Sequence, residues 1–212
     1  MDDPPRPGEP YLRGLERLLA VVQELSLVRT LDDVTTIVRS AARELTSADG
    51  ATFVLREGDY CHYVDEDAIT PLWKGRRFPM DQCVSGWAMK HREPVIIDDI
   101  AQDTRVPSEA YRPTFVKSLV MVPIRTLSPV GAIGTYWAQH RRASREEVRL
   151  LSALADSTSI ALENVGLYAM LEERVRQRTA ALEASEAELA AKHEALLRAQ
   201  RQREEMAALL VH

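Results

Sequence analysis

The chain has little of what marks an exported protein, a membrane protein or a self-contained enzyme. Its 212 residues include only two cysteines, Cys61 and Cys83, a single asparagine, Asn164, and 6% aromatic residues. Two cysteines do not make the disulfide framework of a small secreted domain. No apolar run approaches the ~20 residues that cross a bilayer. The first ten residues are acidic and hold four prolines, and they lack the apolar stretch of a signal peptide. A reducing, cytoplasmic setting without membrane insertion is therefore expected. Excess basic charge is missing too. The formal net charge is −5, which argues against a nucleic-acid partner, because such binding displaces counterions with a basic surface. There is no Gly-x-Ser-x-Gly elbow, no phosphate-cradling glycine loop and no Cys/His spacing for zinc. Neither a complete active site nor a metal centre is expected in these residues.

What is present begins after a leader over residues 1–10, whose composition predicts disorder. Leu12, Leu15, Leu18, Leu19, Val22 and Leu25 recur at helical steps and predict a helix over 11–29 with those residues on one face. Thr30 opens a second helix as its cap, with Asp33 three residues on. Leu31, Val34, Ile37, Val38, Ala41 and Leu45 form its apolar stripe, and Ser47-Ala48-Asp49-Gly50 ends it.

The period then changes. Segments 51–56 and 60–64, rich in aromatic and β-branched residues, flank Glu57-Gly58-Asp59 and read as a hairpin. Segments 94–98, 118–125 and 130–138 are further strands. The last two flank Thr126-Leu127-Ser128-Pro129 and predict a second hairpin. Segment 85–91 is a short helix, and 101–117 a loop with a helical turn or two. Ser144-Arg145-Glu146-Glu147 is a helix start with Ser144 as cap and Glu147 reaching back. No proline follows to His212, and the last glycine is Gly166. An unbroken helix over that stretch measures about 100 Å at ~1.5 Å per residue, more than a domain of this size can cover. Helices segregated to one side of an antiparallel sheet make an α+β fold.

The stretch Gly75-Arg76-Arg77-Phe78-Pro79-Met80-Asp81-Gln82-Cys83-Val84-Ser85-Gly86-Trp87-Ala88 resembles the GAF family. So do Pro94-Val95-Ile96-Ile97-Asp98, Asp103-Thr104-Arg105, Ser118-Leu119-Val120-Met121-Val122-Pro123-Ile124 and Gly131-Ala132-Ile133-Gly134. The order and spacing of these segments carry the resemblance more than any one of them. It implies a GAF/PAS-like antiparallel sheet with flanking helices, a sensor domain over 11–170, and a small-molecule pocket between the sheet and the crossover segments. The candidates for its lining are Phe78, Cys83, Trp87, Tyr111, Phe115, Met121 and Tyr136, each of which could equally be core. Gly86 is expected to permit a tight turn into the helix and Ser85 to cap it. Cys83 stands just before a helix start, where the dipole favours a thiolate. A redox or covalent role and a plain buried residue are both open.

The ligand is left unknown, with bilin and haem disfavoured. Cys61-His62 is similar to the bilin-holding pair of phytochrome-like GAF domains but falls in an early strand. His62, His91 and His140 are isolated histidines rather than an evident axial-ligand arrangement. The asparagine-containing signature of cyclic-nucleotide GAF domains is missing. Two cysteines far apart in sequence fit poorly with a free-methionine sulfoxide reductase.

Residues 171–205 resemble the signalling helix that joins GAF or PAS sensors to histidine kinase cores. Residues 206–212 resemble the start of the kinase dimerisation helix, cut short, with His212 at the phosphoacceptor position. With Val175 at heptad position a, the a row reads Tyr168, Val175, Leu182, Leu189, Leu196, Arg203 and Leu210. The d row is Leu171, Arg178, Ser185, Lys192, Ala199 and Met206. The expected dimer seam is Tyr168, Leu171, Val175, Leu182, Leu189, Leu196, Met206 and Leu210. Half of the d row is polar, so the seam is weaker than an ideal coiled coil. Eight acidic and seven basic residues between Glu172 and Glu205 suit a solvated helix. Glu172–Arg176, Glu188–Lys192 and Glu194–Arg198 are expected to pair along it.

The sequence thus points to the sensory and dimerisation part of a two-component histidine kinase, acting as a homodimer. ATP and a response regulator would be engaged through a kinase core beyond these residues. A GAF adaptor without kinase output is the other reading.

Overall fold

The computed structural model describes residues 9–105, 108–125 and 127–209. Residues 1–8 of the expected leader lie outside them, as do Leu210 and His212. The described residues fall into two compact units that part between Val165 and Gly166.

The first unit is built on a six-stranded antiparallel sheet of order β3-β2-β1-β6-β5-β4. Its strands are β1 (Gly50–Glu57), β2 (Tyr60–Ala68), β3 (Arg77–Pro79), β4 (Val95–Ile97), β5 (Ser118–Ile124) and β6 (Gly131–Trp137). Both expected hairpins form. In the first, Gly58 takes φ +60 at the leading position of a two-residue turn, as a type II′ turn requires. The edge strand β3 lies inside the motif stretch and was not expected. Its three residues are too few to show alternation.

On one face of the sheet lie α1 (Glu9–Leu27), α2 (Leu31–Thr46) and the first turns of α4 (Arg145–Leu209). Thr30 caps α2 through the amide of Asp33 at 3.2 Å. The Asp33 carboxylate does not return to the Thr30 backbone; it accepts the Thr30 hydroxyl at 2.5 Å. Ser144 and Glu147 close a full capping box at α4, with amide bonds of 3.1 and 2.7 Å.

The expected face of α1 needs correction. Leu18 and Leu25 are buried, and Leu15 packs against the core. Leu12 and Leu19 are more than 60% exposed, however, and Val21 is fully buried in place of Val22. The helix carries two overlapping apolar stripes, and the core takes the one through Tyr11, Leu15, Leu18, Val21 and Leu25. In α2, Val34, Val38, Ala41 and Leu45 are buried as expected, while Leu31 is exposed at the first turn.

The second unit is helix alone. Its seam positions Tyr168, Leu171, Val175, Leu182, Leu189, Leu196 and Met206 are all exposed. Glu188–Lys192 and Glu194–Arg198 pair as expected at 2.5 and 2.9 Å. Arg176 instead takes Glu173, one residue nearer than Glu172, at 2.7 Å. No helix among the described residues is long and apolar enough to cross a membrane.

Candidate functional site

The opposite face of the sheet carries a second core cluster, covered by α3 (Val84–His91) and by the loops after β2 and β4. Alternation along β2 sends Cys61 and Tyr63 into it. A register shift opposite Phe53 and Val54 leaves Val64 as the extra residue of a bulge, so the alternation changes face beyond it. Glu66 then holds the loop after β2. Its carboxylate accepts the backbone amides of Leu72, Trp73 and Lys74 at 2.7–2.8 Å. That clamp delivers Trp73 into the cluster, where it is only 3% exposed.

Trp73 meets Tyr63, Tyr111 and Tyr136 edge-on, with ring centroids 5.6, 5.0 and 5.6 Å apart. Phe78 stands edge-on to Tyr63 at 5.4 Å. Such contacts favour ring edges against ring faces. The polar tips are satisfied: Trp73 Nε1 donates to Ala110 O at 3.3 Å, and Tyr136 Oη is 2.8 Å from Thr52 Oγ1. Burial pushes the phenols of Tyr63, Tyr111 and Tyr136 upward, so all three stay neutral. The void left among Tyr63, Trp73, Phe78, Gln82, Cys83, Ala110 and Tyr111 is about 10 Å³, room for one water at most. In this conformation the protein's own aromatic rings fill the space.

Of the seven lining candidates, Phe78, Cys83 and Tyr111 border that void. Met121 and Tyr136 are buried in the same cluster, and Phe115 packs against it. Trp87 sits at its rim, stacked on His91 at 3.8 Å with the Arg105 guanidinium 5.3 Å from its ring. The sequence reading missed Trp73 and Tyr63. A tryptophan in the Pro71-Leu72-Trp73 loop has no periodicity to signal it, and only the Glu66 clamp turns it inward.

The motif residues prove to be fold devices. A Cβ on Gly86 would stand 1.9 Å from Met80 O, so this glycine permits close backbone approach rather than the expected tight turn. The cap position of α3 belongs to Cys83, not Ser85, and makes no side-chain cap bond. Ser85 Oγ lies instead 3.2 Å from both Tyr63 Oη and Cys83 Sγ. Asp103 binds the Arg105 amide and guanidinium, and Arg105 donates to Ile96 O at 3.1 Å, tying the loop to β4.

The histidines stand apart. His62 projects from the face of β2 opposite Cys61 and lies 2.7 Å from Glu57. His91 Nδ1 donates to Trp87 O at 2.9 Å, and His140 is 3.6 Å from Asp99. None borders the void. Among the described residues no group of His, Cys, Asp and Glu could hold a metal ion.

The fold recurs among solved structures. The GAF domain of a phosphoenolpyruvate-protein phosphotransferase from Acinetobacter superposes with a TM-score of 0.64 at 16% identity, over 74% of this chain and 97% of that one. The free methionine-R-sulfoxide reductase of Neisseria meningitidis, solved with its substrate, gives 0.65 at 14% identity over 74% and 93%. The chromophore-binding domain of a bacteriophytochrome from R. palustris gives 0.63 at 15% identity over 74% and 63%. No curated protein matches by sequence. The sequence profile of the GAF domain matches residues 28–163, well over half of the chain, and with the sheet order and the site geometry this makes the protein a member of the GAF domain family.

Proposed function

We propose that this chain is the sensory and dimerisation segment of a signalling protein, and that its output is a histidine kinase. The observation that carries this reading is the row of exposed apolar residues at seven-residue intervals along α4: Val175, Leu182, Leu189 and Leu196 are each 60% exposed or more. Such a row on a solvated helix has no use within one chain, and it is the pattern by which two helices pair. The same helix contributes Leu150, Leu151 and Leu154 to the core beneath the sheet, so one element belongs to both the sensor and the seam. The polar d positions, Arg178, Ser185 and Lys192, keep alternative packings close in energy, as a two-state transmitter needs. The kinase output rests on the resemblance of 171–212 to signalling and phosphoacceptor helices, with His212 as the acceptor.

Native mass spectrometry of the purified chain tests the first part: a dimer is expected, together with any small molecule that displaces Trp73 and its neighbours. A monomer at high concentration would overturn the seam. Reading the codons after His212 tests the second part. An acidic residue, then leucine, a basic residue and proline, with ATP-binding boxes later, are expected. A stop codon would leave a GAF adaptor, and turnover of methionine sulfoxide would make the chain an enzyme instead.

A further inference from the structure

Two thiols separated by 22 positions in the chain meet on the second face of the sheet. Cys61 stands on β2 opposite Phe78 of β3. Cys83 precedes α3, with Sγ 3.5 Å from Pro79 O. Because Pro79 pairs with Tyr60, this contact sets Cys83 beside the start of β2. Both cysteines are free and buried, they belong to the same core cluster, and each is the largest influence on the other's ionisation. Ser85, fully buried, contacts Cys83 at 3.2 Å.

The two sulfurs have different surroundings. Cys83 borders the small void, and Cys61 does not. Cys61, the Ser85 hydroxyl and the Gly86 amide outweigh burial and bring Cys83 down to about 7. Cys83 and burial in turn push Cys61 far up. Cys83 borders the void at the start of α3 with the Ser85 hydroxyl 3.2 Å away, and it is therefore the nucleophile, with Cys61 the proton-bearing partner.

We propose that Cys83 and Cys61 form a reversible redox pair, with Cys83 oxidised by a hydroperoxide and Cys61 closing an intramolecular disulfide. The Cys83 thiolate attacks the outer peroxide oxygen and the O–O bond breaks. A sulfenic acid forms on Cys83, and the leaving oxygen departs as water or an alcohol once it has gained a proton. The Cys61 sulfur then attacks the sulfenic sulfur, the S–O bond breaks, and the expelled hydroxide takes the Cys61 proton as water. Two thiols lose two electrons and the peroxide gains them. A dithiol reductant reverses the change. The new bond ties β2 to the start of α3 across the floor of the aromatic cluster. This inference concerns thiol chemistry alone and stands whether or not the kinase reading does.

The test treats the purified chain with stoichiometric hydrogen peroxide, denatures it and adds N-ethylmaleimide. The expected product takes no maleimide and yields a linked pair of tryptic peptides, 57–74 and 78–90. After dithiothreitol both cysteines take maleimide. In Cys61→Ser, Cys83 is expected to accumulate as a sulfenic acid that dimedone traps. In Cys83→Ser, Cys61 is expected to remain a thiol at the same dose. Two maleimide adducts after peroxide, a disulfide between chains, or equal oxidation of Cys61 without Cys83 would each overturn the proposal. If a variant fails to fold, the unmodified chain still decides it.

Discussion

Asp65 Oδ2 lies 2.7 Å from Nε of Arg39, and the bulge at Val64 makes that contact. Without the extra residue, Asp65 would continue the Cys61–Tyr63 series and point into the aromatic cluster. With it, Asp65 pairs with Phe53 and turns to the helix side, where Arg39 of α2 waits. Lys74 Nζ reaches the other oxygen at 2.6 Å. Burial alone would raise the Asp65 pKa, but Lys74, the Glu66 amide and Arg39 together hold it below the ordinary value.

Asp65→Ala is expected to destabilise the sensor unit by about 1–3 kcal/mol. This lies below the full cost of breaking a buried pair because Lys74 is exposed and Arg39 partly so. Urea melts read by tryptophan fluorescence check it. An unchanged midpoint would mean the pair is ornamental.

Trp73→Ala is expected to cost about 3–5 kcal/mol and to open an apolar cavity. A cavity lined by Tyr63, Phe78 and Tyr111 should accept indole, as engineered apolar cavities accept small aromatics. Thermal melts with and without indole measure this. A variant whose midpoint ignores indole would show that the loop collapses into the space.

Gly86→Ala is expected to be severe, because its Cβ would meet the Met80 carbonyl rather than a side chain that could yield. A loss of about 3 kcal/mol or more is expected, at the upper end for overpacking. A melt within one degree of the unmodified chain would contradict the close approach.

Leu182→Glu with Leu189→Glu is expected to raise the dimer dissociation constant at least about a hundredfold, since each buried leucine contributes about 1.5–3 kcal/mol. The sensor unit's melting should hardly change. Sedimentation equilibrium gives the association, and persistence of the dimer in the double variant would relocate the interface.

Alkaline pH should weaken the fold through its buried phenols. Unfolded, Tyr63, Tyr111 and Tyr136 lose protons near 10; folded, burial holds them protonated beyond that. The folded state then binds more protons, so stability is intact below that value and falls as pH rises through it. Cys83 acts in the opposite sense, adding stability between about 7 and its unfolded value of 9.0. The melting midpoint should therefore drop between about pH 9 and about pH 11, less steeply in Tyr136→Phe. A slope identical in that variant would mean its phenol ionises freely.

The elements themselves were legible because their signals are local. Thr30 and Ser144 cap helices through amides three residues away, the Gly58 turn needs only its neighbours, and the spacing of the motif segments carried the family. All seven lining candidates, which the resemblance implied, lie in or against one cluster; alternation along β5 and β6 accounts for Met121 and Tyr136 and the position of α3 for Trp87, whereas Phe78, Tyr111 and Phe115 reach it from an unexpected edge strand and a loop.

What the chain order could not show depends on burial and register between distant segments. Which of two stripes on α1 faces the core, which face of the sheet Asp65 takes, how the Glu66 carboxylate draws Trp73 into the cluster, and that Cys61 and Cys83 enter the same cluster were all decided by tertiary packing. Each requires two surfaces far apart in sequence to meet, and their free energy exists only once the sheet has closed.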